Sequence, residues 1–107
     1  MEKIDFTYLE VLGEDDPDFK SEFVETFEET YTMLVAKMEN ELKTGDLDNL
    51  AKSAHQLKPS AKMIQLPCGD TLEQLQHNPG NASIEVLKDI HQQCEDALRQ
   101  LKEWAGV

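Results

Sequence analysis

One apolar stripe constrains this chain more than any other feature. Phe19, Phe23, Phe27, Tyr31, Leu34, Met38 and Leu42 recur at three- and four-residue steps, the repeat of one face of an α-helix. The stripe runs for roughly seven turns. Asp16 is suited to cap its N-terminus, and Pro17 fits the first helical position, where a missing N–H costs nothing. Gly45 supplies a natural stop. A rod of this length with one greasy face is stable only when other apolar faces cover it.

The rest of the chain supplies those faces. Asp46 can cap a helix with Leu47, Leu50, Ala54, Leu57, Ala61 and Ile64 on one side. A break is expected at Leu66-Pro67, then a shorter helical segment carrying Cys68, Leu72 and Leu75. Asn78-Pro79-Gly80-Asn81 reads as a loop. Ile84, Leu87, Ile90, Cys94, Leu98, Leu101 and Trp104 form a last stripe. Upstream, residues 3–12 can form a short leading helix with Ile4, Tyr8 and Leu12 on one side, followed by the acidic Glu14-Asp15-Asp16. The sequence has no long strand-like alternation and no internal repeat. The expected fold is all-α: one domain over residues 1–107, with a short N-terminal helix and an antiparallel up-down-up-down four-helix bundle over about 17–105.

Composition narrows the function classes. A formal net charge of −12 disfavours nucleic acid, whose phosphates need a basic stripe, and disfavours anionic membrane surfaces. The N-terminus MEKIDFTYLE lacks the apolar core of a signal peptide, and no apolar run approaches a membrane span. Cys68 and Cys94 lack C-x-x-C spacing and read as small buried hydrophobes. These features lead us to expect a soluble, cytoplasmic protein, and helical stripes that satisfy one another lead us to expect a monomer. His55, His77 and His91 show no i, i+4 pairing with one another or with a cysteine, so no metal site is expected. His77 reads as a residue at a helix C-terminus, favourable to the macrodipole, and His91 as a boundary residue. Glu14-Asp15-Asp16 lacks calcium-loop spacing and reads as a capping and solubility feature.

The chemistry-bearing segment is Ala54-His55-Gln56-Leu57-Lys58-Pro59-Ser60-Ala61. At about 100° per residue, the apolar positions of residues 47–64 fall in an arc about 80° wide, and His55 lies about 135° from its centre, facing solvent. Lys58 is one turn away and Lys62 about two, so one exposed strip displays an imidazole and two ammonium groups in an otherwise acidic chain. Neutral imidazole is a nucleophile near pH 7. A phosphoryl group on the ring brings negative charge that Lys58 can offset by a charge-assisted hydrogen bond. There is no glycine-rich nucleotide loop and no Mg²⁺ cluster, so the chain would relay phosphate without taking it from ATP. Lys52, Gln56, Pro59 and Met63 are expected to border a partner-docking face. An equally open alternative turns Met63 inward through the Pro59 bend.

The same segment resembles the A-H-x-L-K-G-S-[SA] signature of histidine-containing phosphotransfer domains. Thr44-Gly45-Asp46-Leu47-Asp48-Asn49-Leu50 resembles the lead-in to that helix, and Phe23-Val24-Glu25-Thr26-Phe27-Glu28-Glu29-Thr30 the preceding helix. The resemblance spans about residues 17–104. It implies a bacterial-type two-component phosphorelay module with His55 as phosphoacceptor, Lys58 stabilising the phosphoryl group, and Ser60 supporting the local helix packing, with Lys62 nearby. The partner would be a receiver domain of a response regulator or hybrid histidine kinase, which brings the Mg²⁺; this chain would bind no cofactor. Two positions depart from the pattern. Pro59 replaces the usual glycine, which removes the N–H donor for the His55 carbonyl and implies a local kink. Gln65 stands where a glycine is frequent, which bears on how closely a neighbour approaches. Two rival functions remain: a bundle that binds a receiver or kinase without being phosphorylated, and an unrelated helical adaptor or metal-binding bundle. No triad or acid/base pair supports a stand-alone enzyme.

Overall fold

A computed structural model describes residues 7–13 and 16–106. Among them are five α-helices: α1 (Thr7–Gly13), α2 (Pro17–Thr44), α3 (Leu47–Met63), α4 (Cys68–His77) and α5 (Ile84–Ala105). The described residues contain no strand. Ile4 lies outside the described residues, as do Glu14, Asp15 and the side chains of Tyr8 and Leu12. The leading helix buries Leu9, a residue outside the expected stripe.

Each long helix is bounded by chemistry legible in the chain. Asp16 accepts the N–H groups of Asp18 and Phe19 at 3.0 and 3.2 Å, and Pro17 opens α2. At the other end Gly45 adopts φ 74°. Its N–H reaches the Leu42 carbonyl at 3.3 Å, and the Asp46 N–H reaches Glu41 at 2.9 Å. This is the Schellman pattern, which satisfies carbonyls that the helix end orphans. With 28 residues, α2 is ~42 Å long and accounts for the 44 Å long axis of the molecule. Ser83 caps α5 by accepting the Val86 N–H.

α2 packs against both α3 and α5, and α3 packs against α4. The core between them contains Phe27, Tyr31, Leu34, Met38, Leu50, Leu57, Ile64, Leu72, Leu87, Ile90 and Leu101, all nearly or wholly buried. Each such leucine contributes about 1.5–3 kcal/mol of burial free energy. The stripes are narrower at their ends than the sequence implies. Leu47 and Ile84, the first residues of α3 and α5, are 37% and 43% exposed, because a first-turn side chain overhangs the end of the core. Phe19, Phe23 and Leu42, towards the two ends of α2, are half-buried. Pro79–Asn81 closes a 3₁₀ turn in the expected loop.

A polar cluster absent from the hydrophobic pattern joins α2 to α3. Glu41 and Ser53 are both buried. The Ser53 hydroxyl donates to Glu41 Oε1 at 2.8 Å, and Lys37 Nζ donates to Glu41 Oε2 at 3.1 Å and to Ser53 Oγ at 3.3 Å. A buried carboxylate is tolerable only when paired in this way. The cluster therefore fixes the register of α3, and with it the direction of the residues that follow Ser53.

Candidate functional site

α3 begins where Asp46 accepts the Asn49 N–H at 3.3 Å and the Asn49 side-chain amide at 2.6 Å. These bonds favour the ionised carboxylate and hold the Asp46 pKa below its ordinary value. From this start, Leu50, Ser53, Ala54, Leu57 and Ala61 turn into the core. The opposite face presents Lys52, His55, Gln56, Pro59 and Lys62 to solvent. α3 stays helical through Pro59, although Pro59 has no N–H to give the His55 carbonyl. Ser60 and Met63 are half-buried, and Met63 packs against the core. Met63 thus sits at the border of the exposed face.

His55 lies on a shallow, open depression lined by Asp48, Ala51, Lys52 and Gln76. Gln76 comes from α4 and has no counterpart in the sequence-based set. Its side-chain oxygen accepts from Lys58 Nζ at 2.8 Å. The expected exposed strip holds for His55 and Lys62 and is corrected at Lys58. Lys58 is only 20% exposed and its ammonium also lies 3.9 Å from Glu73 Oε1. Lys62 Nζ is 3.4 Å from the same Glu73 oxygen and 3.8 Å from Asp70 Oδ1. The cause is the turn after α3, which lays α4 along the lysine side of the helix.

That turn has its own backbone requirement. The Gln65 N–H bonds the Lys62 carbonyl at 3.1 Å, and the Leu66 N–H bonds Ala61 at 2.9 Å. This is a second Schellman motif, with Gln65 at its left-handed position (φ 56°). What position 65 requires is thus a backbone conformation suited to glycine; the close approach occurs instead at Gly69. A Cβ on Gly69 would stand 2.8 Å from Lys62 Cγ, so the bare glycine lets the Lys62 stem cross the start of α4.

The remaining polar candidates lie elsewhere. His77 is the last residue of α4. His91 on α5 is partly exposed, 3.7 Å from Glu95 and with its ring centroid 5.7 Å from that of Tyr31. Cys68 and Cys94 are buried free thiols. A hydrogen bond with Cys68 and burial both push the Cys94 pKa up, which keeps it protonated and unreactive.

The arrangement can therefore present an accessible imidazole beside an ammonium that is already oriented by an amide. Asp70, Glu73 and Gln76 follow three-residue spacing on the polar side of α4. That periodicity was the available signal for them, but it does not say which helix they face. A family model described as Hpt domain matches residues 22–104, more than three quarters of the chain and all of α3 and α4. Comparison with curated proteins and with solved structures finds no match.

Proposed function

The chain belongs to the Hpt domain family, and from that membership we propose that it is a phosphorelay carrier whose His55 accepts a phosphoryl group and exchanges it with a receiver-domain aspartate. Hpt domains are phosphocarriers that work with receiver domains. The observation that carries the assignment to His55 is its exposure on the α3 face with Lys58 one turn away, inside the matched span.

In the forward step the phosphorus–oxygen bond of an aspartyl phosphate breaks, and its electron pair leaves with the carboxylate. The unprotonated ring nitrogen of His55 gives its lone pair to phosphorus, and the other nitrogen keeps its proton. No electrons are gained or lost overall. Little covalent work falls to the carrier beyond positioning and charge compensation. Lys58 compensates the incoming charge, and Gln76 orients Lys58. The receiver supplies Mg²⁺; the carrier supplies no metal and no ATP site. Lys52, Gln56, Pro59 and Met63 border the docking face, and Ser60 supports the active turn from its half-buried position.

Contacts of Lys20 with Trp104, Tyr31 with His91, Lys37 with Ser53, and Lys62 with Asp70 support an antiparallel up-down-up-down order for α2 to α5. We assign the chain, as a single-domain monomer, to cytoplasmic two-component signalling of the bacterial type. No helix among the described residues is long and apolar enough to cross a membrane. The test is receiver binding by calorimetry alongside phosphotransfer, for the wild type and His55→Gln. A carrier loses transfer and keeps binding in the variant. Transfer that survives His55→Gln refutes the assignment.

A further inference from the structure

Lys58 and Lys62, about one and two turns along α3 from His55, already share an anion. Glu73 Oε1 lies 3.4 Å from Lys62 Nζ and 3.9 Å from Lys58 Nζ, while Asp70 touches only Lys62, at 3.8 Å. A phosphoryl group on His55 would need the same ammonium that Glu73 and Gln76 hold. Resting on the carrier reading, we propose that Glu73 is an internal competitor for the phosphoryl group: it pairs with Lys58 in the unmodified chain and weakens the grip of that lysine on phosphohistidine.

The magnitudes make this a tuning device and not a block. Glu73 is 47% exposed, Lys62 41% and Lys58 20%, so both pairs are screened by water at the carboxylate, the Lys62 pair the more of the two. A phosphoryl group carries nearly two negative charges, so it wins Lys58 from a single half-exposed carboxylate. Winning the lysine against a competitor leaves phosphohistidine less stabilised than if the lysine were idle. A carrier benefits from that balance, because a group held too firmly is not passed on. Glu73 acts through Lys58 and does not touch the reacting atoms, so it is a positioning residue. The other charges around this site are Asp48, Lys52 and Lys62 on α3 and Asp70 on α4.

The test is a double-mutant cycle read by ³¹P NMR. The purified chain is loaded with phosphoramidate, which transfers its phosphoryl group to the imidazole nitrogen and releases ammonia. The midpoint of the second phosphoryl ionisation is then followed with pH for wild type, Glu73→Gln, Lys58→Gln and the double variant. Freeing Lys58 favours the dianion, so Glu73→Gln is expected to lower the midpoint by about 0.5 unit, a roughly threefold change, the size expected of one exposed ion pair. In the Lys58→Gln background the same substitution should move it by less than half as much. Equal shifts with and without Lys58 would mean that Glu73 does not act through Lys58, and an unmoved midpoint that it does not act; both overturn the proposal. Failure of His55 to take any phosphoryl group overturns the carrier reading as well.

Discussion

Replacing Gln65 with glycine should stabilise this protein, although it deletes a side chain. Gln65 is an exposed residue at φ 56°, held there by the two hydrogen bonds that close α3. An L-residue in that region costs roughly 1–2 kcal/mol from the clash of Cβ with the following carbonyl. Glycine removes the clash but adds about 0.5–1 kcal/mol of unfolded-state freedom. The balance favours Gln65→Gly by about 0.5–1 kcal/mol. In a domain of this size that raises Tm by about 2–5 °C. Gln65→Asn keeps a side-chain amide and tolerates the left-handed region better, so it should fall between the two. Gln74→Gly is the control, because Gln74 is exposed inside α4, where glycine costs up to about 1 kcal/mol. Thermal and urea melts of the four proteins decide the matter. If Gln65→Gly loses stability as Gln74→Gly does, left-handed strain is not what distinguishes this turn.

Three further outcomes follow from the same geometry. Ser53→Ala leaves Glu41 with one partner in a buried position and should cost about 1–3 kcal/mol in urea melts; an unchanged midpoint would show the α2–α3 cluster to be dispensable. Asp46→Ala removes the cap of α3 and should lower Tm at neutral pH. The folded Asp46 pKa is depressed, so its contribution is present above the unfolded value near 4 and is lost as pH falls through the folded value. The gap between wild type and variant should therefore narrow in Tm measurements below about pH 4; a constant gap contradicts that linkage. Cys68 and Cys94 should resist a thiol reagent in native buffer and react once the chain is unfolded in urea, because both are buried and the Cys94 thiol is held protonated. Rapid native labelling of either would contradict this.

Boundary chemistry was the part of the fold most legible in the sequence. Asp16, Pro17, Gly45 and Asp46 act through bonds within one helix turn, so their meaning does not depend on tertiary placement. Central stripe positions such as Phe27, Leu57 and Ile90 were equally plain. Leu47 and Ile84 misled because periodicity treats every position of a helix alike, whereas burial ends with the core. Leu9, Val24 and Val35 broaden the buried face beyond the expected stripes. Ser53 and Glu41 were invisible to a hydrophobic pattern, since only their pairing across α2 and α3 makes them buried. The exposure of His55 was legible because it follows from its own helix. The state of Lys58 was not, because Glu73 and Gln76 are separated from it by a turn whose direction is set by Gln65.

The most direct test of His55 as the phosphoryl carrier is an intact-mass measurement. The chain is incubated with a receiver domain, acetyl phosphate and Mg²⁺ at neutral to alkaline pH, beside His55→Gln, His77→Gln and His91→Gln. The expected result is one acid-labile phosphoryl adduct on the wild type and on the His77 and His91 variants, and none on His55→Gln. An adduct that persists in His55→Gln, or no adduct with any of several receivers, would contradict the account.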